Sequence, residues 1–195
     1  MTIALLFPGQ GSQFVGMGRD FYDKYDQAKN VYNQLDMGLN RSLTDLIFNG
    51  TDEEIALTTN SQPAIMATSI AILRCLQYEK LINLASVSYT AGHSLGEYSS
   101  LVATESLDFK DAVKILKVRS EAMQESMPIG TGGMAAIIGS SLNQITKLLP
   151  ELNKIGKIYV ANDNADGQIV LSGEIRVIDH ICSNNKTYGI KRAIK

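Results

Sequence analysis

One stretch constrains the fold of this chain more than any other. An apolar run from Leu84 to Thr90 passes through Gly92-His93-Ser94-Leu95-Gly96 into residues of helical pattern. A strand that hands over to a helix through G-x-S-x-G needs a sharp turn, and such turns sit at the carboxyl edge of α/β sheets. A serine hydroxyl is a poor nucleophile at neutral pH, so projection from a tight turn is what makes Ser94 a candidate nucleophile. Gly92 and Gly96 let neighbouring backbone come close. The helix after the turn aims N–H groups and a partial positive charge at the place where an oxyanion would form. A plain turn is the competing reading of the pentapeptide, and the strand-to-helix context argues against it.

The rest of the chain continues the alternation. Ile3 to Phe7 is an unbroken apolar run stopped by Pro8-Gly9, the pattern of a buried parallel strand. Residues Asp20 to Leu39 follow a polar helical pattern. Ser61 to Glu79 is a strongly apolar helix with Pro63 near its first turn, where a missing N–H costs nothing. Glu97 to Thr104 and Asp108 to about Met127 are further helices. This order predicts an α/β domain with a mainly parallel sheet over residues 1–127. Turn formers then crowd into Pro128-Ile129-Gly130-Thr131-Gly132-Gly133, a boundary. Beyond it, strands at Met134–Ile138, Lys157–Ala161, Gln168–Ser172 and Ile190–Ile194 alternate with helices at Leu142–Leu149 and Ile175–Lys186. That βαββαβ order predicts a small ferredoxin-like subdomain over residues 128–195.

Composition narrows the function classes. The chain has 195 residues, 45% hydrophobic and 19% charged, values that suit a folded core rather than a disordered chain. Its net charge is -2 with no basic run, so neither a nucleic-acid surface nor a polybasic membrane patch is expected. The longest apolar stretch, Ala64 to Leu73, is shorter than the ~18 residues a membrane span requires. No signal-like segment opens the sequence, and Cys75 and Cys182 stand far apart without metal-ligand spacing. A soluble, cytoplasmic protein with reduced thiols is the expectation, with no metal.

Three other features carry chemistry. The turn Pro8-Gly9-Gln10-Gly11-Ser12-Gln13 does not fit a phosphate loop: a dinucleotide fingerprint would need glycine at Phe14, and a P-loop would need lysine at Met17. It can instead present backbone N–H groups at the sheet edge, where one could complete an oxyanion hole beside Ser94. Arg119 falls on a stripe with Ala112, Ile115, Leu116, Ala122 and Met123. An internal ion pair with Glu97 or Glu105, snorkelling to the surface, and a fork kept for a substrate carboxylate are all open to it. Only His93 and His180 could serve as a histidine base. His93 neighbours Ser94 on a sharp turn where adjacent side chains diverge, and His180 reads as a solvated helix residue.

Phe7-Pro8-Gly9-Gln10-Gly11-Ser12-Gln13, Ser61-Gln62-Pro63-Ala64, Gly92-His93-Ser94-Leu95-Gly96-Glu97, Arg119 and Gly133-Met134-Ala135-Ala136 together resemble the malonyl-CoA:acyl carrier protein transacylases of fatty acid synthesis. The match is collinear along the whole chain. The resemblance implies a hydrolase-like α/β subdomain carrying a ferredoxin-like insertion. It implies that Ser94 is the acylated nucleophile and that the N–H groups of Leu95 and Gln10 form the oxyanion hole. By the same resemblance Arg119 clamps the malonyl carboxylate, and Gln62 and His93 line the pocket. Malonyl-CoA and acyl carrier protein are the implied partners. No cofactor of the chain's own is implied, since the phosphopantetheine belongs to the carrier.

The chain departs from that family at its end. Family members continue past the ferredoxin-like insertion, re-enter the large subdomain and there supply the histidine base, whereas this sequence stops at Lys195. The 195-residue chain is therefore expected to lack the catalytic histidine and to acylate slowly if at all, because losing a triad-type base removes several orders of magnitude of rate. Malonylation of Ser94 at a normal enzymatic rate by this chain alone would contradict that expectation. A serine esterase or thioesterase, and a noncatalytic remnant that still binds carrier protein, are the alternative readings.

Overall fold

Ile3–Phe7 (β1) and Val87–Gly92 (β2) pair in parallel, with Phe7 opposite Gly92, so both strands end at the same edge. Parallel neighbours need a long crossover. Five helices supply it: Arg19–Lys24 (α1), Asp26–Leu39 (α2), Leu43–Asn49 (α3), Asp52–Ala56 (α4) and Thr58–Tyr78 (α5). Gly96–Ala103 (α6) leaves β2 directly and packs on both strands, and Phe109–Ser126 (α7) follows. The computed structural model describes residues 2–128 and 130–195, so Ile129, inside the predicted boundary, lies outside the described residues. The chain divides into two units, Met1–Glu125 and Ser126–Lys195.

In the first unit α5 is the central helix. It packs against α2 and α6, and its side chains from Asn60 to Thr68 are all buried. A helix buried on nearly every side is one that reads as apolar all round. Around it lie Tyr32 and Leu35 of α2, Ile47 of α3 and Leu116 of α7, each fully buried. The Tyr32 hydroxyl bonds Thr68 Oγ1 at 2.9 Å and donates to Met17 O at 3.2 Å, and burial pushes its pKa up to about 12. It stays protonated and pins α2 to α5. Among the described residues no helix is long and apolar enough to cross a membrane.

Three expectations are corrected here. The apolar helix begins at Thr58 rather than Ser61, so Pro63 lies inside it, beyond the first turn. A proline there cannot donate to the carbonyl four residues back. Arg41 Nη2 donates to that carbonyl, Thr59 O, at 3.0 Å and to Asn60 Oδ1 at 2.7 Å. Burial lowers the Arg41 pKa from its ordinary value. The second correction concerns Leu84–Ser86, a 3-10 turn rather than strand, because Asn83 Oδ1 accepts the Ala85 N–H at 3.0 Å and bends the chain. The third concerns β1, which is covered on one face only: Leu5 packs on the core while Leu6 is 78% exposed. An apolar run permits burial on both faces but does not itself supply a second layer.

The second unit orders its strands β4-β5-β3-β6, with every pair antiparallel. Here β3 is Gly132–Ile138, β4 Ile158–Ala165, β5 Gln168–Glu174 and β6 Arg192–Ile194, with helices Leu142–Leu152 (α8) after β3 and Ile175–Ser183 (α9) after β5. That is the βαββαβ arrangement expected of a ferredoxin-like unit. Ile137, Ile145, Ile169, Leu171 and Ile178 form its core. Ser141 and Gln144 make a reciprocal capping box that fixes the start of α8. The last helix is shorter than predicted: it stops at Ser183, and a 3-10 turn over Asn185–Tyr188 follows. His180 is not a freely solvated side chain, because its Nε2 lies 2.9 Å from Tyr188 Oη.

Candidate active site

The strand-to-helix turn at Ser94 is held from both sides by backbone. His93 N–H donates to Phe7 O at 3.1 Å, which ties the turn to the end of β1. Gly96 N–H donates to His93 O at 2.9 Å and Glu97 N–H to Ser94 O at 3.1 Å, which starts α6. Between these anchors Ser94 takes φ +55°, a left-handed conformation that a non-glycine residue holds only when its surroundings impose it. The side chain of Ser94 is exposed while that of Leu95, next to it, is fully buried.

The two glycines of the motif serve space, not dihedral freedom. A Cβ on Gly92 would overlap the Gly96 carbonyl, and one on Gly96 would overlap Phe7 O and stand 2.7 Å from Pro8 O. The ends of β1 and β2 and the start of α6 therefore meet at backbone contact distance. Gly9 belongs to the same junction, since a Cβ there would stand 2.6 Å from His93 Nδ1. Gly96→Ala is expected to cost about 3 kcal/mol or more of stability, because backbone cannot yield as a flexible side chain can. Urea unfolding checks it, and a midpoint equal to wild type would show that the junction is looser than described.

Arg119 reaches this turn from α7. Its Nη2 donates to Ser94 Oγ at 3.0 Å, its Nη1 donates to Gln62 Oε1, and its guanidinium carbon stands 5.8 Å from the centre of the Tyr98 ring. The buried stripe of α7 is Phe109, Ala112, Val113, Leu116 and Ser120, whereas Ile115 and Met123 are 41% and 43% exposed. Arg119 thus sits half-buried at the edge of the stripe, not in its middle. Ile115, Ala122 and Met123, which share its spacing of threes and fours, are exposed. Among the described residues it forms no ion pair with Glu97 or Glu105.

Gln62 is fully buried on α5. Its Nε2 donates to Thr58 Oγ1 at 2.7 Å and to Met123 Sδ at 3.3 Å. Thr58 Oγ1 in turn donates to Gln10 Oε1 at 3.2 Å. Gln10 follows Gly9 in the turn beside the Ser94 elbow, where Gly11 N–H is already taken by Gln13 Oε1 at 2.8 Å. One hydrogen-bonded chain therefore joins Gln10, Thr58, Gln62, Arg119 and Ser94. Sequence reasoning named four of these five and missed Thr58, together with Tyr98 and Met123. A signal was present for two of them: Thr58 and Met123 stand four residues from Gln62 and Arg119, one turn along the same helix face.

The arrangement offers a hydroxyl on a strained turn, helix-start amides beside it, and a guanidinium within reach of the same point. It suits attack on a carbonyl whose substrate also carries an anion. Among the described residues no group of three or more His, Cys, Asp or Glu is placed to hold a metal ion.

The family model described as acyl transferase domain matches residues 4–193. The malonyl CoA-acyl carrier protein transacylase of Bacillus subtilis (strain 168) is 45% identical over 195 residues, covering 98% of this chain and 60% of that protein. The solved acyl-carrier-protein-S-malonyltransferase from Bartonella henselae superposes with a TM-score of 0.89 at 38% identity, over 100% of this chain and 62% of that one. A solved complex of a type II PKS acyl-carrier protein with its malonyl-transacylase gives a TM-score of 0.87 at 36% identity, over 100% and 62% of the two chains. The chain thus spans about 60% of the length of the curated relatives it matches.

Proposed function

The chain belongs to the acyl transferase family, and from that premise we propose that it takes part in moving a malonyl group from malonyl-CoA to the phosphopantetheine thiol of acyl carrier protein. The observation that carries this reading is the contact between Arg119 Nη2 and Ser94 Oγ at 3.0 Å. It puts a cation that can fork onto a carboxylate within one residue's reach of the nucleophile, the separation a short diacid thioester requires.

The steps follow from the site. The substrate carboxylate takes Arg119, which turns its Nη2 from the serine to the ligand and frees the hydroxyl. Ser94 Oγ attacks the thioester carbon as its proton passes to a base. The N–H groups of Leu95 and Gln10 receive the negative oxygen of the tetrahedral intermediate. Leu95 stands at the start of α6, where the first amides have no acceptor within the helix. The engagement of Gly11 N–H by Gln13 favours Gln10 as the donor of its turn. The C–S bond then breaks, CoA leaves as its thiol, and the phosphopantetheine thiol of the carrier reverses the sequence on malonyl-Ser94.

Gln62 and His93 line the pocket in this reading, Gln62 by holding Arg119. Arg119 is a permanent cation and cannot take the serine proton. In the family pattern the base is a histidine supplied after the ferredoxin-like unit, and in this reading it lies outside these 195 residues. No cofactor of the chain's own enters, and the implied setting is the cytoplasm.

The test is intact mass spectrometry of the protein after exposure to malonyl-CoA, then to holo acyl carrier protein. A malonyl adduct that appears and then moves to the carrier supports the proposal. Release of free malonate in place of transfer would support a thioesterase instead, and carrier binding with no adduct would support a noncatalytic remnant.

A further inference from the structure

The hydroxyl of Thr58 touches both the Gln10 turn and the support of Arg119, and we propose that Thr58 is a positioning residue that sets the two together. Arginine has donors and no acceptor, so the end of Gln62 that meets Arg119 has to be its Oε1. The Nε2 end then faces Thr58 Oγ1 at 2.7 Å and Met123 Sδ at 3.3 Å, both used as acceptors. With its oxygen accepting from Gln62, Thr58 has a single proton left to give. That proton goes to Gln10 Oε1 at 3.2 Å.

The direction of each bond from Arg119 to Thr58 is thereby fixed, and each link depends on the one before it. Thr58 is the only link that could be lost without removing a group that faces substrate. Without its oxygen, the fully buried Gln62 would keep one N–H unpaired. Rotation of the carboxamide cannot relieve that loss, because it would turn Nε2 towards the guanidinium, donor against donor, and take from Arg119 its acceptor. In the same change Gln10 would lose the bond that holds its side chain. A hydroxyl on the first residue of α5 thus aligns the carboxylate clamp with the oxyanion turn.

The kinetic part of this inference rests on the proposed malonyl transfer, while its structural part does not. Thr58→Val keeps the shape of the side chain and deletes the hydroxyl. Thr58→Ala deletes it with less bulk near Gln62, and Thr58→Ser restores it. In either deletion variant the side-chain NH2 signals of Gln62, followed by NMR, are expected to shift and to exchange about 10-fold faster or more. Acylation by malonyl-CoA should fall about 10- to 100-fold and the preference for malonyl over acetyl should shrink with it. The serine variant should recover both. Unchanged Gln62 signals with an unchanged malonyl-to-acetyl ratio in the deletion variants would overturn the inference. Should the wild type take no malonyl group at all, the functional reading fails while the Gln62 signals still decide the role of Thr58.

Discussion

Ser94→Ala is expected to abolish the malonyl adduct, with a loss on the order of a millionfold in acylation rate where the base is in place. The expectation is a chemical one. Alanine has no oxygen to attack the thioester, and the hydroxyl is the group the elbow presents beside the helix-start amides. The substitution should leave the fold alone, because alanine meets the same left-handed φ of +55° that serine already accepts and adds no atom to the junction. What it removes is the acceptor for Arg119 Nη2, an exposed contact that water can replace. Circular dichroism and urea unfolding should therefore match wild type while intact mass shows no increment after malonyl-CoA. An alanine variant that still gains the malonyl mass would move the nucleophile elsewhere and remove the basis for the proposed function.

The elbow could be read from sequence because everything that makes it is local. A strand pattern ending at Gly92, a serine two residues on, and a helix starting at Gly96 lie within a single turn of chain. Gly96 is required by its approach to the backbone of Phe7 and Pro8, and Gly92 by its approach to the backbone of Gly96 and Glu97. Arg119 was partly legible, since a cation at the edge of an apolar stripe asks for a partner. Which partner it would find was not, because Gln62 comes from a helix 57 residues earlier and meets it only through packing. Pro63 misled for a related reason. The preference of proline for a first turn is real, but Arg41, far from it in sequence, replaces the lost hydrogen bond and lets the helix begin at Thr58. That shift by one turn is what brings Thr58 into the site. The burial of β1 was overestimated because an apolar run states what a strand tolerates and not what covers it.

If the proposed function holds, Arg119 governs choice of substrate, and its replacement is expected to erase the preference for malonyl over acetyl. Malonyl-CoA differs from acetyl-CoA by a carboxylate, and a guanidinium that meets it with two donors contributes about 3 kcal/mol, roughly a hundredfold in kcat/KM. Arg119→Gln is expected to lose that factor with malonyl-CoA and to change little with acetyl-CoA, so that the ratio of the two falls by about the same hundredfold. Arg119→Lys offers a sharper comparison. It keeps the charge but presents one ammonium where the native side chain uses Nη1 for Gln62 and Nη2 for Ser94. Lysine cannot hold the glutamine and meet a carboxylate in the same geometry, so an intermediate loss of about tenfold is expected. The stacking of the guanidinium near Tyr98 would also go. Competition between the two thioesters, read by intact mass on the same sample, measures the ratio directly. A ratio unchanged in both variants would mean that the cation serves the fold or the serine alone, and that the carboxylate is recognised by some other group.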